Sequence, residues 1–140
     1  MYAIIRIRGQ ISISPKIKKT LSMLNLHTVN SMSIWPEDKK SLKMLKVVEN
    51  HATFGTISED MIKEVITKRG KAIEGKLEIQ NAIDGFLSGK KMKEVNLKNQ
   101  FRLSPPRKGF DRKGIKKPFT LGGALGNRKD NINELIKKMI

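Results

Sequence analysis

The sequence predicts a fold that mixes α and β: a β-α-β-α-β unit over residues 1–57, followed over 58–140 by further helices and a basic β-hairpin. Three observations carry this. Short apolar stretches with a period of two alternate with stretches whose apolar residues recur every three or four positions. One helix per crossover suggests a small sheet with both helices on one face. Near the C-terminal end, residues 101–129 break the pattern, with nine Lys or Arg against a single acid, Asp111.

The first strand lies within residues 1–13. Ala3, Ile5 and Ile7 point one way, and Tyr2, Ile4, Arg6 and Arg8 the other, so the second face is apolar early and basic late. Ser14 and Pro15 start a helix as N-cap and first helical residue, and Ile17, Leu21 and Leu24 form its core stripe. Lys16, Lys18 and Lys19 sit in its first turns, where the helix dipole disfavours cations. They read equally as a solvated face or as an edge that an anionic partner would favour. A strand over 28–35 ends at Pro36, a helix spans 41–50, and a third strand covers 52–57. Ser58 caps the next helix, with Glu59 and Asp60 suited to its positive end and Arg69-Gly70 closing it.

A charged linker over 71–76 leads to the clearest amphipathic helix, in which Ile79, Ala82, Ile83, Phe86 and Leu87 share a face and Gly89 follows the end. Lys90, Lys91 and Lys93 then lead to the basic segment. Phe101, Arg102 and Leu103 read as a short strand halted by Pro105 and Pro106, and 115–120 as its hairpin partner. Asn131 and Glu134 have capping-box spacing ahead of a closing helix with Ile132, Leu135, Ile136 and Met139 on one face.

The chain of 140 residues carries 29 Lys and Arg against 13 acids, a net charge of +16. Such a field attracts nucleic acid or an anionic membrane surface. Residues 101–129 hold three of the five Phe, three of the five Pro and five of the eleven Gly, while residues 59–100 nearly balance with nine bases and seven acids. The basic segment is too charged and too poor in aliphatics to form a core of its own, which suggests a loop system that completes its structure against a polyanion. Arg102, Arg107, Lys108, Arg112, Lys113, Lys116, Lys117, Arg128 and Lys129 are its candidate phosphate contacts, with Arg6, Arg8, Lys16, Lys18 and Lys19 as a second edge. Phe110, flanked by charge, serves either as a stacking platform for an unpaired base or as an internal anchor.

Catalysis finds little support. With no Cys, thiolate metal sites, disulfides and Cys nucleophiles are excluded, and His27 and His51 stand in no ligand-spacing motif. No catalytic or metal-binding residue is assigned, and no cofactor. Residues 122–126 (Gly-Gly-Ala-Leu-Gly) lack the ending of a P-loop and the dinucleotide spacing, so they read as a turn allowing close backbone approach. No apolar run reaches the length of a membrane span and the first residues do not read as a signal peptide, so a cytoplasmic protein with no membrane partner is expected. Two nucleic-acid readings remain: an RNA-binding structural protein, and a non-specific DNA-coating protein of nucleoid type.

The motifs favour the first. Arg6-Ile7-Arg8-Gly9, Leu24-Asn25-Leu26-His27 and Met44-Leu45 with Val48 resemble the core of the large-subunit ribosomal protein L30 family. The more specific likeness is to the archaeal form, itself similar to the eukaryotic cytosolic L7 proteins. It lies in Phe101-Arg102-Leu103-Ser104-Pro105-Pro106-Arg107-Lys108-Gly109-Phe110, then Pro118-Phe119-Thr120, Gly122-Gly123-Ala124-Leu125-Gly126-Asn127-Arg128, and Ile132-Asn133-Glu134-Leu135-Ile136. The resemblance implies an α+β fold with a small, mainly antiparallel sheet packed by helices, and a core over 1–57 carrying the helical and basic hairpin extension over 58–140. It implies binding to large-subunit rRNA beside neighbouring ribosomal proteins, a place within the cytoplasmic ribosome, no enzymatic activity and no small-molecule substrate.

Overall fold

The structure is a computed structural model that describes residues 1–75, 78–90 and 92–140. Lys76, at the end of the predicted linker, and Lys91 lie outside the described residues. The elements run β1 (Tyr2–Arg6), α1 (Pro15–Met23), β2 (Ser31–Trp35), α2 (Lys39–Val48), β3 (Ala52–Thr56), α3 (Glu59–Arg69), α4 (Ile79–Leu87), β4 (Phe101–Arg102), β5 (Gly126–Asn127) and α5 (Ile132–Met139). The α+β class and the β-α-β-α-β start are as expected. Five strands form one sheet in the order β4-β2-β1-β3-β5. Three pairings are antiparallel and β5 joins β3 in parallel.

The sheet is covered on both faces. Ile4 and Phe54 pack with Leu21, Leu24, Leu45 and Val48, so α1 and α2 share one face as predicted. Ala3, Ile5, Met32 and Ile34 pack with the apolar stripes of α3, α4 and α5 on the other. This second layer explains why every residue from Ala3 to Ile7 is buried although β1 alternates in sequence. Gly55 makes the second layer possible on β3. A Cβ there would lie 2.1 Å from the carbonyl oxygen of Lys129 and 3.0 Å from Cβ of Ile132, so only glycine lets the start of α5 rest on the strand.

Two local expectations fail. The hairpin between 101–103 and 115–120 does not form. Phe101 and Arg102 pair with Met32 and Ser31 of β2 at one edge of the sheet, while Gly126 and Asn127 pair with β3 at the opposite edge. The reason is apolar: Phe101 and Leu103 are buried in the core with α3–α5, whereas Ile115 is exposed. Residues 115–120 contain no strand, and Phe119–Leu121 is a 3-10 turn. The capping box is also absent. Asn131 has helical dihedrals and closes a 3-10 turn, Lys129–Asn131, that runs directly into α5. Asn133 supplies the polar stitch instead: its Oδ1 accepts from the Ser58 amide at 3.1 Å, and its Nδ2 donates to the carbonyls of Thr56 at 3.2 Å and Asp130 at 2.9 Å.

Candidate nucleic-acid interface

Strand directions gather the basic residues. From the pairing registers, β1 and β4 end, and β2, β3 and β5 begin, at one end of the sheet. The connection over 103–125 therefore leaves and returns at that end, where Arg8 also emerges. Its seat is apolar: Ile7, Ala124 and Leu125 form a small buried cluster with Phe110 against it. Phe110 also packs against the α3–α5 core while remaining partly exposed at the cleft beside α5.

The connection is tied to the body and to itself by backbone hydrogen bonds. The amides of Ser104 and Arg107 donate to the carbonyls of Met139 and Lys138 at 2.8 and 2.9 Å. Further in, Phe119 donates to Leu125 at 2.7 Å, Gly123 to Pro118 at 3.0 Å and Ala124 to Gly114 at 3.1 Å. The glycine motif serves this internal closure. A Cβ on Gly123 would fall 2.1 Å from the carbonyl oxygen of Lys117, and Gly122 has φ +85°, which glycine adopts at no steric cost.

Arg128 holds the arrangement from inside. Only 4% of it is exposed. Its Nε donates to Thr53 Oγ1 at 3.0 Å, its Nη2 donates to Ala124 O at 3.2 Å and to Asp111 Oδ2, and its guanidinium lies 4.6 Å from the centre of the Phe119 ring. One side chain thus joins β3 to the loop at two separated points. Asp111, the segment's single acid, supplies the counter-charge to this buried guanidinium while staying partly exposed itself. Arg107, Lys108, Arg112, Lys113, Lys116 and Lys117 are all exposed, and the surface they form presents cations. Lys108, Arg112 and Lys138 border a cleft of 380 Å³ between the loop and α5.

The second predicted edge divides. Lys16, Lys18 and Lys19 are exposed on α1, and Lys129 is exposed beside β5. Arg8 is half-buried, with Nη1 donating to Asn50 O at 3.1 Å. Arg6, placed by its alternation at the surface, is only 1% exposed. Its Nη1 donates to the carbonyls of Leu26 at 2.8 Å and His27 at 3.0 Å, and its Nε to Arg8 O at 2.9 Å. Cover by the 24–27 turn takes it out of the surface and makes it a strut, and burial lowers its pKa. His51 is also pushed down, by burial first and then by Arg8 and Arg6, so it is neutral at pH 7 and adds nothing to the field.

Sequence reasoning missed three basic residues that border these surfaces. Lys138 reaches the loop because α5 packs beside it. Arg69 and Lys71 come to stand beside Arg102, although their stretch looked balanced by count. The run of bases at the end of α3 was the available signal. Arg102 itself is exposed on β4. Among the described residues, no group of three or more His, Asp or Glu converges to hold a metal ion, and no helix is long and apolar enough to cross a membrane. The chemistry on offer is that of positive charge on a tied backbone, which suits phosphates in a fixed arrangement.

Comparison with known proteins bears on what carries those phosphates. Residues 2–51 match the family model for ribosomal protein L30p/L7e. The whole chain is similar to proteins named large ribosomal subunit protein uL30. It is 37% identical over 152 residues to that of Methanococcus maripaludis, with 99% of each chain covered. It is 37% identical over 153 residues to that of Nanoarchaeum equitans, covering 100% of this chain and 99% of the relative. Against that of Aeropyrum pernix the identity is 38% over 158 residues, covering 100% and 99%.

Proposed function

The chain belongs to the ribosomal protein L30p/L7e family, and on that premise we propose that it is a structural constituent of the large ribosomal subunit that binds large-subunit rRNA through the 103–125 connection. Its place is within the cytoplasmic ribosome, its other partners are neighbouring ribosomal proteins, and it catalyses no reaction. Residues 1–57 form the core common to the family and 58–140 the extension that brings the basic surface.

One observation carries the RNA-binding reading: the internal pairing of Asp111 with Arg128, which leaves the exposed face of the loop cationic. Arg107, Lys108, Arg112, Lys113, Lys116 and Lys117 neutralise phosphates, with Arg8, Lys16, Lys18, Lys19, Arg102 and Lys129 extending the contact. Arg6, Arg128 and Phe110 position that surface from within. Binding follows backbone shape more than base identity, because the exposed set is charged and largely lysine. No observation favours the DNA-coating alternative: the 103–125 connection presents no α-helix for a major groove.

The test is association of the full chain with purified large-subunit rRNA over a salt series. Reversing Arg107 and Lys108 to Glu should weaken binding and reduce the slope of log affinity against log salt by at least about 1.5, since each neutralised phosphate contributes roughly 0.7–0.9. Unchanged slope together with unchanged co-sedimentation with large subunits would overturn the reading.

A further inference from the structure

By count, residues 59–100 are nearly neutral, yet folding concentrates cations at one place within reach of them. The end of α3 brings Arg69 and Lys71 beside Arg102 of β4 across a cleft of 570 Å³, whose border includes Asn30 and Ser104. Four bases and no acid line it. Lys68 is paired with Glu64 at 2.7 Å, which leaves three cations. Arg69 is held in place, its Nη2 donating to Ser104 Oγ at 2.7 Å.

The same cleft has an acceptor without a donor. Asn30 Oδ1 is buried and unpartnered. The backbone beneath it is fixed: Asn30 N donates to Arg6 O at 2.8 Å, and its carbonyl accepts from Leu103 N at 2.9 Å. Its φ of +61° is one that Asn tolerates and most side chains avoid. An unpaired buried acceptor is costly, and Asn30 is only half-buried and borders the cleft, so a donor entering there would satisfy Oδ1 once the amide turned outward. Three cations call for phosphates; a neutral acceptor among them calls for a hydroxyl or amino donor. An RNA backbone carries both phosphate and a 2′-hydroxyl donor, and DNA lacks the hydroxyl.

We propose that this cleft takes a second stretch of RNA backbone, with Arg69, Lys71 and Arg102 on phosphates and Asn30 Oδ1 on a ribose 2′-hydroxyl. The proposal rests on the rRNA-binding reading and extends the contact beyond the 103–125 connection to the β4 edge of the sheet.

The experiment uses the full chain and purified large-subunit rRNA, with generic duplex DNA as reference. Lys71→Gln with Arg102→Gln, both at exposed positions, should reduce the salt slope by about 1.5. Asn30→Gly, which suits the positive φ, should weaken binding about five-fold at fixed salt with the slope unchanged, as expected for one uncharged hydrogen bond. A photo-cross-linking residue at Val29, an exposed position on the rim, should attach to rRNA in assembled subunits. Wild-type protein that prefers rRNA no more than DNA would sink the broader reading and this one with it. Normal wild-type binding with slope and affinity unchanged in the variants would overturn the cleft alone, as would cross-links confined to a neighbouring protein.

Discussion

The second half of the chain builds two regions by opposite means. Helices α3–α5 cover one face of the sheet with Met61, Ile62, Val65, Ile66, Phe86, Leu135 and Ile136, and their organisation is apolar. The connection over 103–125 has only a small apolar seat and is organised by backbone hydrogen bonds around one buried arginine. The difference teaches how a surface can be strongly basic and still ordered. Apolar burial needs side chains turned inward, which leaves few for display. Organisation by backbone amides and by Arg128 leaves the lysines and arginines free to face outward.

The largest effect should come from the apolar layer. Phe101→Ala, at a fully buried position, should lower global stability by about 4 kcal/mol in denaturant unfolding, lost across all elements together. Arg128→Met should cost less, about 3 kcal/mol, because it strands Asp111, which is partly solvated. That loss should be local: amide hydrogen exchange should quicken at Phe119, Ala124 and Leu125 while β1 keeps its protection. A uniform loss of protection would erase the distinction between the two regions. Gly123→Ala should cost about 2 kcal/mol and mimic the local pattern, since the added Cβ displaces the backbone at Lys117.

The smallest effect sharpens the comparison through pH. The His51 pKa is lowered in the folded state, so below the unfolded value of about 6.5 the unfolded chain binds the additional proton. Stability therefore falls as pH drops from about 6.5 toward the lowered folded value, and is unaffected above it. His51→Gln should flatten that part of the profile in thermal unfolding measured from pH 7 to 5. A slope that persists in the variant would locate the titrating group elsewhere.

Much of the fold was legible because periodicity reports burial. The strand at 52–57, the helix closed by Arg69-Gly70 and the helix over Ile79–Leu87 were all expected within a residue or two of where they form. The hairpin was not legible correctly. Phe101 and Ile115 both sit in short strand-like stretches, and nothing local says that one belongs in the core and the other in solvent. The candidate site was legible as a set of residue types, with the bases Arg107, Lys108, Arg112, Lys113, Lys116 and Lys117 exposed. Arg6 and Arg128 read like their neighbours in sequence, but each is drawn inward by acceptors that are distant along the chain, Leu26 and His27 in one case and Thr53 and Asp111 in the other.

The sequence by itself determined the net charge, its concentration in 101–129, the amphipathic helices and the family, because these depend on composition and on spacings of a few residues. Only the tertiary structure decided that the two ends of the basic segment lie on opposite edges of the sheet, that Asp111 pairs with Arg128, and that Arg69 and Lys71 meet Arg102. Each of these is a contact between residues far apart in the chain. Strand order and the directions in which strands enter and leave one end of the sheet set such contacts, and no local pattern encodes them.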